Sequence, residues 1–434
     1  MARLRVARIV IATSVLMAAG FMSWSRPVSV AAANPAATAS TPASDLRIAL
    51  GRLLGEHAFL LMSAMRASAD GTPDADALRA GLDANTDGLK DAITTVYGDD
   101  AGEIFQPIWQ RHIDASIRWA TATKAGDSSA AAAALKDLSK FRSEFSEFLT
   151  GANPKISADA EIHAVQLHLD QLTAILAGDY EQAFATQRVG YSHMFEFGDE
   201  IARAVVAQFP VRFPDGAVAF SPRTTLRLTL GRLLGEHLVL AAAAMRTGLV
   251  QGVDASAAVK ALDANSADLA DAIGRIFGAD ARAAFADVWG RHVETYLAYI
   301  VAVRTSDTAG RQTALESLHG YHVTLAEFLH GAIPGLSQAD IEELISHHVS
   351  ALINQVDAAA AGDHVRAVTV TREAYAQMFV VGDALGAGIA DQFPDRFGDV
   401  RHIPPTNGEP EKPLEFSCTI PDGHPADGTA GSRP

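Results

Sequence analysis

One cysteine, Cys418, occurs in 434 residues. No disulfide can form within the chain, so the fold must stand on its core or on bound ligands. Aromatic residues are few, at 7%, and no segment alternates apolar and polar residues with period two, which removes sheet architectures. Glycine-rich phosphate loops, basic patches interleaved with aromatics, a Gly-x-Ser-x-Gly nucleophile elbow and the His-Glu-x-x-His of zinc peptidases are all missing. Positive charge is short as well: 35 Lys and Arg face 51 Asp and Glu, a net charge of −16. That balance disfavours nucleic acid and anionic membrane surfaces and favours cations, although plain solubility is the simpler account of it.

The first residues read as an export signal. Arg3, Arg5 and Arg8 precede an uncharged, largely apolar run from Ile9 to Trp24, and Ala31-Ala32-Ala33 offers a small-residue cleavage site. The run is short for a membrane span, so residues 1–33 are expected to be removed and to leave no stable span. Cleavage takes away four arginines and no acids, moving the net charge from −16 to −20. No cysteine lies close after the run to carry a lipid. The expected location is exported: periplasmic, cell-envelope or extracellular.

What is present is a repetition. Leu46 to His57 reads LRIALGRLLGEH and Leu226 to His237 reads LRLTLGRLLGEH, an offset of 180. After a linker at 34–44, apolar residues recur at three and four, as in Leu46, Leu50, Leu53, Leu54, His57, Leu61 and Met65. Thr72-Pro73 reads as a cap and first-turn proline, Gly98 as a stop, Gly178-Asp179 as a stop joined to a start, and Phe209-Pro210 as an end. The pattern predicts an all-α chain: a tandem duplication of a six-helix antiparallel bundle, at 45–213 and 224–398. Beyond Ser157 and Ser337 the offset becomes 184, which places a four-residue insertion between Ser337 and His347 and pairs His163 with His347. Residues 399–434 are rich in Pro and Gly and read as a disordered tail, within which Phe416 to Ile420 could dock locally.

Aligning the copies leaves a polar set inside apolar stripes: Glu56/Glu236, His57/His237, Asp83/Asp263, Asn85/Asn265, His112/His292, His163/His347, Tyr191/Tyr375, Met194/Met378 and Asp199/Asp383. His57 lies four residues from both Leu53 and Leu61, Asn85 lies between Leu82 and Leu89, and His112 follows Ile108, so all three point into the core. Each would cost roughly 1–3 kcal/mol if buried without a partner. The functional reading is a metal site in each copy, with His57 and His112 (His237 and His292) as first ligands. Glu56, Asp83 and His163 (Glu236, Asp263 and His347) would complete or orient it. Copper, zinc and iron all suit such donors, and Met65 and Met194 would favour copper. The alternative is a hydrogen-bonded core network that only fixes the fold. Trp109 and Trp289, three residues before His112 and His292, read as core anchors or as a wall of an apolar pocket. The row His319, His322, His330 has no counterpart in the first copy and reads as a solvated face or a local surface patch.

Glu-His in the first helix, Asp83-Ala84-Asn85 in the second, Trp109 to His112 in the third and Tyr191 to Asp199 in the sixth, with their counterparts, resemble a family of exported bacterial helical-repeat proteins. Some members are labelled by association with copper amine oxidase N-terminal-like domains. The resemblance covers roughly residues 45–398. It implies an exported all-α repeat and no particular activity, since amine oxidation needs a large β-rich domain.

The sequence therefore predicts an exported binding protein, most plausibly for a transition-metal cation. A non-catalytic structural or interaction module is the competing class. A metal-dependent enzyme comes third, because nothing marks an open catalytic position.

Overall fold

The computed structural model describes residues 41–399, apart from 157–158 and the side chains of 159–162. The expected signal, most of the linker, Ser157, Cys418 and the expected tail beyond 399 lie outside the described residues. Those described are all-α, with no strand among them. The order is α1 (Pro42–Asp70), α2 (Ala75–Tyr97), α3 (Asp99–Ala125), α4 (Ser128–Ala152), α5 (Asp159–Ala177) and α6 (Tyr180–Gln208), then a 3-10 turn (Val218–Phe220). Beyond the turn come α7 (Pro222–Leu249), α8 (Ala255–Phe277), α9 (Ala279–Thr305), α10 (Thr308–Ala332), α11 (Gln338–Ala360), α12 (His364–Gln392) and the short α13 (Pro394–Phe397).

Local chemistry sets the ends. Thr41 opens α1 with a capping box to Ser44 and Pro42 in the first turn, and Ser221 caps α7 ahead of Pro222. Thr72-Pro73 does not open the second helix: it begins at Ala75. Asp74, at the cap position, makes no capping bond and instead pairs with Arg246 at 2.6 Å.

Helices α1 and α7, which carry the two LGRLLGEH segments, form the centre. By length and composition both could cross a membrane, yet 78% and 83% of their apolar windows are buried against other helices, as befits core helices. Helix α1 packs on α2, α3 and α6, and α7 on α8, α9 and α12. Glycine sets how closely. A Cβ on Gly198 would stand 3.1 Å from the Gly51 nitrogen, and one on Gly382 only 2.4 Å from that of Gly231, so α6 meets α1, and α12 meets α7, backbone to backbone. Asp199 and Asp383 follow those glycines and hold Arg47 and Arg227.

The halves also interlock. Arg372 of α12 donates to Glu56 at 2.9 Å, and Arg188 of α6 donates to Glu236 at 3.0 Å. Arg66 pairs with Asp254 as Arg246 does with Asp74. The Tyr191 and Tyr375 hydroxyls meet at 2.9 Å, and the Phe195 and Phe379 rings stack at 6.1 Å. Contacts in which i touches j′ and j touches i′ describe a twofold relation. Gly55 and Gly235 make it possible, since a Cβ on either would stand 2.6 Å from the hydroxyl of Tyr375 or Tyr191 respectively.

The expected insertion sits elsewhere. Helix α5 has 19 residues and α11 has 23. Val165/Ile345, His168/His348 and Leu172/Leu352 keep the offset of 180, while Gly178/Gly362 shows 184. The extra turn therefore follows His348, near the C-terminal end of α11.

Candidate metal centre

Three helices in each half bring one imidazole apiece to a common point in the core. In the first half these are His57 from α1, His112 from α3 and His168 from α5. Their exposures are 2%, 3% and 7%, so all three are removed from solvent. His57 and His112 face each other with Nε2 atoms 3.0 Å apart, and the His57 and His168 ring centres are 6.2 Å apart. In the second half His237, His292 and His348 each offer a nitrogen within 4.8 Å of the other two. A tetrahedral ion with bonds of ~2.0–2.1 Å sets its donor nitrogens roughly 3.3 Å apart, so the His57–His112 pair would open slightly and the second triad would draw in from its outer limit of 4.8 Å.

The surroundings fix the rings. The Nδ1 atoms of His112 and His292 lie 2.5 and 2.7 Å from the carbonyls of Trp109 and Trp289. A carbonyl can only accept, so Nδ1 carries the proton and Nε2 presents a lone pair to the triad. Phe141 stacks on His112 and Tyr321 on His292, both with centres 4.5 Å apart. The indoles of Trp109 and Trp289 cover His57 and His237 at 4.7 and 4.8 Å. The tryptophans are thus buried anchors packed on the triads.

Burial keeps the imidazoles neutral. It lowers His112 and His292 to about 3, and His168 and His348 to about 4, and drives His57 and His237 well below the usual 6.5, helped by the neighbouring imidazoles. Neutral imidazole is the ligating form. Nor is the cluster satisfied by itself. Nδ1 of His57 and both nitrogens of His237 and of His348 are buried with no hydrogen-bond partner among the described residues. Five orphaned atoms at roughly 1–3 kcal/mol each make a large deficit for a core with no other purpose.

The structure does not bring every residue of the expected ligand set here. His163 is exposed at the start of α5, its ring 4.9 Å from His193, and His347 is exposed on α11. The third imidazole is His168 or His348, on the inner face of the same helices. Asp83 and Asp263 are also exposed, Asp83 receiving bonds from Arg79 and Gln110 at 3.3 Å. Glu56 and Glu236 are buried, but each accepts from an asparagine and from an arginine of the other half: Asn85 and Arg372, Asn265 and Arg188. Their charges are spent joining the halves. The missed signal was the offset: His168 and His348 keep 180 together with the leucines and valines around them.

No family model, curated protein or solved structure matches this chain.

Proposed function

We propose that the chain is an exported tandem duplication of a six-helix unit that binds a transition-metal ion through three buried imidazoles in each copy. The observation that carries this reading is the second triad, where His237, His292 and His348 from α7, α9 and α11 offer nitrogens within 4.8 Å of one another and those of His237 and His348 are orphaned; His57, His112 and His168 repeat the arrangement, with one orphaned nitrogen on His57. Three nitrogen donors with no carboxylate or thiolate suit copper or zinc better than iron. Glu56 and Glu236, each one residue before a triad histidine, act as positioning residues that lock α1 and α7 in register.

The 3.0 Å bond between His57 and His112 favours a second reading for the first copy, in which the imidazoles pair to fix the fold. Elemental analysis of the chain purified without a histidine tag separates the two. Close to two equivalents of one transition metal per chain, lost in His57→Ala/His237→Ala, supports binding. Trace metal, unchanged by the substitutions, sinks it. Melting provides a second reading, because an ion that binds only the folded form raises the melting temperature.

A further inference from the structure

The triads are buried, so an ion that binds them needs a way in, and any such route rests on the metal reading of the two sites. We propose that ions reach the first triad from the cleft between the halves, through a water-sized pocket beside His168. A plug of Tyr296, Gln355 and Thr371 closes the second triad to the same cleft, so the two sites load at different rates.

The cleft has a volume of about 710 Å³ and a rim formed by the exposed residues Pro73, Val250 and Ser306. Phe59, Gln171 and Gln187 line it and also line a pocket of about 10 Å³ that ends on His168. That volume is about one water molecule, and a water needs two to four polar partners. Gln171, Gln187, Thr186 and His168 supply them. Gln171 Nε2 donates to Gln187 Oε1 at 3.0 Å where the two spaces meet. Turning that one amide pair joins cleft to pocket and presents carbonyl oxygens to a partly dehydrated cation.

The second half differs at the same places. Tyr296, one turn beyond His292, stands where the first half has Ser116 at the offset of 180. Its hydroxyl is 3.4 Å from Gln355 Oε1, and Gln355 Nε2 donates to Thr371 Oγ1 at 2.6 Å. Gln355 lies two turns beyond His348, and it and Thr371 both line the cleft. At the offset of 184 Gln355 matches Gln171 and Thr371 matches Gln187, so both halves keep a hydrogen-bonded pair there, and it is Tyr296 in place of Ser116 that extends the second pair into a chain beside the triad. Tyr296 is 2% exposed and Gln355 1%, so the chain lies between the cleft and the second triad as buried side chains that must move before an ion can pass.

Trp109 and Trp289 cover one histidine of each triad, so Cu(II) entering either site quenches an indole within reach of the metal. Mixing the purified chain with Cu(II) in a stopped-flow fluorimeter is expected to give two phases of comparable amplitude, at least tenfold apart in rate. The fast phase disappears in His57→Ala/His112→Ala and the slow one in His237→Ala/His292→Ala. Gln187→Leu, of similar volume, slows the fast phase at least tenfold while two equivalents still bind. Tyr296→Ser speeds the slow phase toward the fast one. Two bound equivalents with a single common rate, or a fast phase indifferent to Gln187→Leu, overturns the route and leaves the metal reading standing. Failure of wild type to retain any of zinc, copper or iron at equilibrium overturns both.

Discussion

The Nε2 atoms of His57 and His112 lie 3.0 Å apart, although 55 residues separate them along the chain. With His112 Nδ1 tied to the Trp109 carbonyl, its Nε2 is an acceptor, and the pair has one proton to share. A metal bound at the two Nε2 atoms would take the place of that proton, which would move to the unpartnered His57 Nδ1, and would use His168 as the third donor. Ligand identity is then testable at single positions. His168→Ala/His348→Ala is expected to abolish metal retention, and His163→Ala/His347→Ala to leave it unchanged, as read by elemental analysis. The reverse outcome would return the site to the exposed ends of α5 and α11.

Stability should fall steeply in mild acid. The six triad imidazoles are neutral in the folded chain, four of them titrating at about 3 to about 4, and return to about 6.5 on unfolding. Above 6.5 both states are unprotonated there, and the stability contributed by the neutral cluster is fully present. Below it the unfolded chain binds up to six more protons. Stability therefore drops as pH falls from 6.5 toward the folded values, by about 1.4 kcal/mol per pH unit for each imidazole. Urea midpoints at pH 7, 6 and 5 measure this directly. Added zinc or copper is expected to move the loss to lower pH, and a midpoint independent of pH would rule out neutral burial.

Glu56→Ala leaves Arg372 facing a buried asparagine without its carboxylate. Breaking one partner of a buried pair costs about 3–5 kcal/mol, and Arg372 keeps part of its surface in water, so about 2–4 kcal/mol is expected. Glu236→Ala should cost less than Glu56→Ala, because Arg188 keeps Asp268 as a partner whereas Arg372 has no second carboxylate among the described residues. Denaturant titration gives both values. Pairing Glu56→Gln with Arg372→Leu should recover part of the loss, since no uncompensated charge then remains.

How much of this could be read from residues alone depends on the range of each signal. Helical stripes, end signals such as Gly98, and the inward phase of His57, Asn85 and His112 are local, and each appears in the folded chain. The third imidazole depended on where four extra residues fall in α11. Placing them before His347 matched one histidine with another and hid His168, whereas the apolar neighbours Val165/Ile345 and Leu172/Leu352 keep the original offset. Glu56 next to His57 looked like a ligand because both are retained. Its partner Arg372 is 316 residues away, and no periodicity reports such a pairing. The same holds for Gly55, whose retention is explained only by Tyr375 arriving from the other half.

The glycines of the two central helices supply the last prediction, because the halves differ in how tightly they pack. A Cβ on Gly382 would stand 2.4 Å from the Gly231 nitrogen and 2.6 Å from its Cα, against 3.1 and 3.3 Å for Gly198 over Gly51. These obstacles are backbone atoms and cannot rotate away, so α12 must lift off α7 to admit a methyl group. Gly382→Ala is expected to destabilise by about 3 kcal/mol or more, in the range of overpacked cores, and Gly198→Ala by about 1 kcal/mol. Gly290 is the control: it lies inside α9 with nothing within 4 Å of its added Cβ, so Gly290→Ala should gain about 0.5–1 kcal/mol from helix propensity alone. Thermal melts of the three variants rank them. Equal effects at positions 198 and 382 would show that the two helix pairs sit at the same separation. A loss at 290 would show that the melts report glycine replacement in general and not the approach of α12 to α7.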